Sequence, residues 1–167
     1  MLLLLVHVGE ERLALDSRYI VEITPLVALK KLAHAPSYLA GMFNYRGQIV
    51  PVIDLGELIR GQPCTTHLST RIIVVRPMGD RQDPQPLAVT TETSNPVSPP
   101  LFGLIAERVT ETFSWSASTL VEPPLHSQAA AYLGDLIIDP QGMIQCLEIE
   151  PLLPYIQAVP LLPPFKA

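Results

Sequence analysis

"NYRGQIVPVIDL", residues 44 to 55, sets a lone arginine between a tyrosine and a glycine, then an apolar run broken by Pro51 and closed by Asp54. Residues 49 to 53 are rich in Ile and Val, the side chains that fit a pleated, half-buried surface, and predict a strand. Asp54-Leu55-Gly56-Glu57 has the form of a capping box, so Asp54 can accept from the amides of a helical first turn. Two readings of Arg46 stand open. It is an exposed hairpin-turn residue beside Gly47, or a cation paired with an acid at the mouth of the strand.

Outward from that stretch the predicted elements are short and mostly β. Residues 2 to 8 and 12 to 15 flank the Gly9-Glu10-Glu11 turn as a hairpin. Further strands are predicted at 20 to 24, 71 to 76, 101 to 106, 108 to 115, 136 to 139 and 143 to 147. "DPQG", 139 to 142, puts proline second and glycine fourth in a type I turn. Little helix is indicated. Short strands at frequent turns favour small barrels over a parallel sheet.

The two halves echo each other. "IVEI", "YLAG" and "DLGELI" in the first half answer to "VTET", "YLG" and "EIEPLL" in the second. Asp54 and Glu148 each precede a leucine, Leu58 and Leu152, by four positions. The echo predicts two similar β units. They run roughly from 12 to 76 and from 101 to 153, with the N-terminal strand open to sharing between them.

Proline supplies 18 of 167 residues, about twice ordinary usage. It concentrates in 77 to 100, read as a linker, and in the tail 154 to 167. Pro96 with Pro99, and Pro160 with Pro163, spell P-x-x-P, which some domains bind. Plain linker is the simpler account.

Composition excludes several classes. A 48% hydrophobic content is enough for a real core and argues against disorder. A net charge of -5, with Lys30-Lys31 the lone adjacent basic pair, leaves no stripe for a phosphate backbone, so no nucleic acid is expected. "MLLLLV" lacks a positive leader and meets His7, Glu10 and Glu11 at once. It reads as a strand, with no direct membrane insertion. Cys64 and Cys146 form no framework, which favours a reduced, cytoplasmic setting. Cys64 and His67 make a lone C-x-x-H, too few ligands for structural zinc, so no metal or cofactor is expected. No G-x-S-x-G, Walker loop, G-x-G-x-x-G or H-E-x-x-H occurs, and His7, His34, His67 and His126 are scattered. No catalytic residues are assigned.

At this point the opening stretch and its neighbours resemble a known family, the CheW-like adaptors of bacterial chemosensory signalling. The carrying segments are "ERLALDSRYIVEI" (11 to 23), "APSYLAGMFNYRGQIVPVIDL" (35 to 55) and "TRIIVV" (70 to 75). In the second half they are "FGLIAERVTET" (102 to 112), "VEPPL" (121 to 125), "YLGDLIID" (132 to 139) and "LEIEPLL" (147 to 153). The pattern G-x-x-N-x-R-G-x-x-x-P-V-x-D-L is highly specific in that order, and the likeness covers nearly the whole chain.

The resemblance implies two five-stranded SH3-like β-barrels around a shared apolar core. It implies a non-catalytic scaffold in the cytoplasm, recruited to membrane-associated receptor arrays. There it binds the regulatory domain of a CheA-type histidine kinase and the cytoplasmic hairpin tip of a chemoreceptor. By family position, Ile20, Glu22, Gly41, Arg46, Gly103, Val109 and Thr112 fall at or near partner surfaces. Glu22 and Arg46 are expected to pair across neighbouring strands of the first barrel, because a guanidinium fork satisfies and orients a carboxylate. Were that pair partly buried, losing one partner would strand a charge at ~3–5 kcal/mol. Tyr45 departs from the leucine common before R-G, and Glu107 from the usual aspartate. The 77 to 100 linker is longer than the family's hairpin there.

Two other classes compete. An SH3-like module could read a proline-rich peptide without any kinase, although aromatics at 6% are sparse for an aromatic-lined groove. An enzyme could use Cys64 or Cys146 as a thiol nucleophile.

Overall fold

The N-terminal run "LLLLVHV" is apolar at almost every position because its strand is covered on both faces. In the computed structural model, which describes residues 1–78 and 100–157, β1 (Leu2–Val8) sends Leu4, Val6 and Val8 into the largest core cluster and Leu3 into a separate one. A strand buried on both sides reads as a continuous apolar run rather than an alternating one. β6 (Arg71–Val75) repeats the arrangement, with Ile73 and Val75 in the large cluster and Ile72 and Val74 in a third.

Nine strands carry the fold among the described residues. After β1, Gly9 turns the chain at φ 60 into β2 (Glu11–Asp16), and a 3-10 turn leads to β3 (Ile20–Pro25). Next come β4 (Leu39–Tyr45), β5 (Gln48–Asp54), the short helix α1 (Leu55–Arg60), and β6. β7 (Phe102–Ser114), β8 (Leu133–Asp139), β9 (Gly142–Leu147) and α2 (Leu153–Gln157) complete the described chain. The linker and tail expectations fall mostly on residues 79–99 and 158–167. Those residues, with both P-x-x-P motifs, lie outside the described ones.

The strands form two five-stranded SH3-like barrels that share β7. One is β4-β5-β7-β6-β3, and the other is β7-β1-β2-β9-β8. Pairing does not follow chain order. β5 runs parallel to β7, with Val52 opposite Gly103, while β9 runs parallel to β2, with Leu13 opposite Gln145. Each barrel therefore takes strands from both halves of the chain. Val50, Val52, Ile72 and Val74 fill the first barrel, and Leu3, Ala14, Ile137 and Ile144 fill the second. Leu15, Ile53, Phe102, Leu104 and Ile149 are among the residues of the core between them.

Two of the segments that echo each other make matching backbone bonds. The Asp54 amide donates to the Tyr38 carbonyl at 2.8 Å, and the Glu148 amide donates to the Tyr132 carbonyl at 2.7 Å. Asp54 also caps α1, accepting from the amides of Gly56 and Glu57, and Gly61 ends that helix in a left-handed conformation at φ 71. An acceptor at the N-cap and a glycine past the last turn satisfy groups that a short helix leaves unpaired.

Three elements differ from the sequence expectation. β7 is one strand, where a break at residue 107 was expected; Arg108 adopts φ 48 and the ladder to β1 shifts register between Leu5 and His7, a bulge within a continuing strand. β4 was given no range, although the hairpin-turn reading of Arg46 needs a strand before it; Gly41 and Asn44 both disfavour one. α2 contains Pro154 in its first turn, where the missing N–H costs nothing.

Candidate functional site

The β4–β5 hairpin closes with Tyr45 opposite Gln48, leaving Arg46 and Gly47 as a two-residue loop. Both have positive φ, 49 and 85, the signature of a type I′ turn whose twist matches the flanking strands. The Asn44 side chain accepts from the Gly47 amide at 2.8 Å and fixes the loop from within. Glycine suits its position, but arginine in the left-handed region carries backbone strain. The hairpin thus holds a costly residue at its tip.

Arg46 reaches β3. Its Nη2 lies 3.3 Å from Glu22 Oε2. Among the described strands β3 ladders with β6 and β4 with β5, so this contact spans a gap that no ladder between β3 and β4 crosses. The Tyr45 hydroxyl donates to the same Glu22 oxygen, and the Arg46 guanidinium lies 5.4 Å from the Tyr45 ring centroid. Phe43 packs edge-on against Tyr45, with ring centroids 6.2 Å apart. The hydrogen bond to Glu22 is the first cause that raises the Tyr45 hydroxyl above its usual range, with burial second. Arg46 therefore fills both roles left open by the sequence: it is a turn residue and an ion-pair partner.

Exposure decides what the pair is worth. The Arg46 side chain is 77% exposed and that of Glu22 39%. An exposed pair contributes about 0–1 kcal/mol, so the cost of stranding a buried charge does not apply. The guanidinium instead keeps N–H groups open to solvent beside the Glu22 carboxylate.

The other candidate residues fall into different settings. Ile20 begins β3, half-buried against the large core, and Val109 on β7 packs against that core while its amide donates to the Ser69 carbonyl at 3.0 Å. Thr112 is exposed on β7 opposite Leu4, in the part of that strand belonging to the second barrel. Gly41 and Gly103 are buried. Gly41 has φ 146, and a Cβ there would meet the Lys30 carbonyl oxygen at 2.7 Å, where residue 30 bridges to Met42. A Cβ at Gly103 would meet Ile72 Cγ2 at 2.9 Å and Val52 Cγ2 at 3.1 Å. The structure thus brings Glu22 and Arg46 together on one rim and sets the two glycines inside the first barrel. Tyr45 joins the rim although it was singled out only as a departure. Its phenol was the available signal.

The remaining polar groups of interest are structural. Glu107 is buried and accepts from the Thr65 amide at 2.8 Å, with Arg60 Nη2 at 3.8 Å. Burial first, then the neighbouring Asp54, pushes the Cys64 thiol far up, and that thiol donates to the Ile105 carbonyl at 3.5 Å. Burial also pushes Cys146 up to about 11. Both are held as thiols, the opposite of an activated nucleophile. No described helix is long and apolar enough to cross a membrane.

Two SH3-like barrels joined through one strand, with an ion-paired hairpin tip at the rim, define a two-barrel β class. The chain belongs to the CheW-like domain family, whose model matches residues 2–157. It is similar to the chemotaxis protein CheW of Helicobacter pylori, at 30% identity over 69 residues. That alignment covers 41% of this chain and 42% of the Helicobacter protein, less than half of each. It also superposes on the scaffolding protein TtCheW from Thermoanaerobacter tengcongensis with a TM-score of 0.70 at 22% identity. That match spans 89% of this chain and 84% of the other, and establishes a shared fold.

Proposed function

We propose that the protein is a non-catalytic scaffold that couples methyl-accepting chemoreceptors to a CheA-type histidine kinase in a bacterial chemosensory pathway. One partner surface belongs to the kinase regulatory domain, the other to the hairpin tip of a receptor's cytoplasmic coiled coil. Work at the cytoplasmic face of a receptor array fits both. Ile20, Glu22, Gly41, Arg46, Gly103, Val109 and Thr112 are the proposed contributors to these surfaces, with the two glycines acting through the shape of the first barrel.

The observation that carries the proposal is the Glu22–Arg46 rim in a chain of this family. A strained, exposed arginine is kept at a turn where asparagine or glycine would be easier, and its head group is orientated by an acid on another strand. Little stability is gained there, so a role in recognition explains the cost. Modest contacts suffice in an array, because a tethered partner makes each later contact effectively intramolecular.

Mixing the purified protein with its cognate kinase and a receptor tip tests this. Receptor-dependent change in kinase autophosphorylation, present only with all three components, is the expected result. Failure to bind either partner at array-like concentrations would end the proposal.

A further inference from the structure

Tyr45 and Arg46 converge on one oxygen of Glu22. The phenol donates to Oε2, Arg46 Nη2 stands 3.3 Å from the same atom, and Oε1 takes no hydrogen bond among the described residues. The Tyr45 ring is itself placed, edge-on to Phe43 and beneath the guanidinium, and packs against the first barrel's core. Arg46 is mostly exposed, so its long side chain alone cannot hold the carboxylate in one rotamer. A half-buried phenol with a single donor can.

We infer that Tyr45 is a positioning residue for the partner-binding rim: its hydroxyl fixes the Glu22 carboxylate so that Oε1 faces outward as an acceptor beside the Arg46 fork. The inference rests on the scaffold reading above and deepens it. The partner it fits presents a hydrogen-bond donor and an acceptor side by side, matching one free carboxylate oxygen and the guanidinium's unused N–H groups. Without the phenol, Glu22 turns freely and the partner must order it on binding, which weakens affinity.

A double-mutant cycle tests this, using the full-length chain and two probes, the purified kinase regulatory domain and a soluble receptor hairpin. Tyr45→Phe keeps the ring and removes only the donor. The probe that engages the rim should bind Tyr45→Phe about tenfold more weakly. Glu22→Gln should weaken it at least as much, and adding Tyr45→Phe to Glu22→Gln should cost nothing further, because the phenol acts through the carboxylate. An ultraviolet phenol titration supplies a readout independent of any partner. The raised tyrosine titration lost in Tyr45→Phe should move back toward the ordinary range in Glu22→Gln. Unchanged affinity in Tyr45→Phe, or equal losses in both backgrounds, overturns the positioning role while leaving the scaffold intact. A wild-type protein that binds neither probe overturns the scaffold reading and this inference with it, even if the phenol titration shows the contact.

Discussion

Arg12 and Asp139 stand 127 positions apart in the chain and meet through two parallel bonds, Nη1 to Oδ1 at 3.0 Å and Nη2 to Oδ2 at 2.5 Å. Their side chains are only 15% and 19% exposed. The pair ties β2 to the β8–β9 turn, where the Asp139 carboxylate also accepts from the Gln141 amide. The Arg12 bond is the first cause that holds the Asp139 carboxyl below its usual range. A carboxyl depressed in the folded state adds stability that is complete above the unfolded value, about 3.9, and is lost as pH falls through the folded one. Asp139→Asn should therefore lower the urea midpoint at pH 7, and the gap to wild type should close in acid, once the carboxyl is protonated in both states. Melts at pH 7 and in acid check this, and a gap that survives acid would point to packing instead of charge.

Arg46→Asn should separate recognition from stability. It installs the Asn-Gly pair that type I′ turns favour and removes an exposed ion pair worth about 0–1 kcal/mol. Thermal stability should hold or rise by up to ~1 kcal/mol as turn strain is relieved. Binding to the kinase regulatory domain or receptor tip should fall. Calorimetry beside a binding titration reads both, and a variant that binds as well as wild type removes Arg46 from the recognition surface.

Gly41→Ala and Gly103→Ala should act through the barrel interior. At both positions a Cβ lands within 3 Å of a neighbour, the Lys30 carbonyl or the Ile72 side chain. Overpacking of this kind costs about 1–3 kcal/mol. Denaturant midpoints should drop in both, more for Gly41, where φ 146 adds backbone strain and the close atom is backbone. Any loss of partner binding should track the unfolded fraction. Lost binding at full folding would show a direct role in contact.

Glu148 gives the opposite pH dependence to Asp139. Burial first, then the charges of Asp135, Glu150 and Asp16, raises its carboxyl above the usual range. An acid raised in the folded state binds its proton more readily when folded, so it weakens the fold above that pKa. Stability returns as pH falls toward the unfolded value. Glu148→Gln should raise the melting temperature at pH 7, with the advantage gone near pH ~4. An unchanged difference across that range would show that charge is not the cause.

Much of this was legible in the residues. The run from Asn44 to Leu55 revealed the hairpin, the buried strand and the helix cap, and its resemblance to the family revealed the two barrels. The near-continuous apolar runs of β1 and β6 are explained by burial on both faces, which length and composition alone could not tell from other buried segments. The extent of β4 was not legible because Gly41 and Asn44 serve tertiary needs, a close backbone approach and a turn cap, against local preference. The bond from Tyr45 to Glu22 joins residues 23 apart on strands that do not pair, so no periodicity could encode it.

The shared strand β7 has a further consequence. A chain cut between residues 78 and 100 gives one fragment holding four of the five first-barrel strands and another holding three from the second barrel. Neither can close alone, because each lacks ladders that the other supplies. The two barrels are thus an interlocked pair rather than two beads on a string.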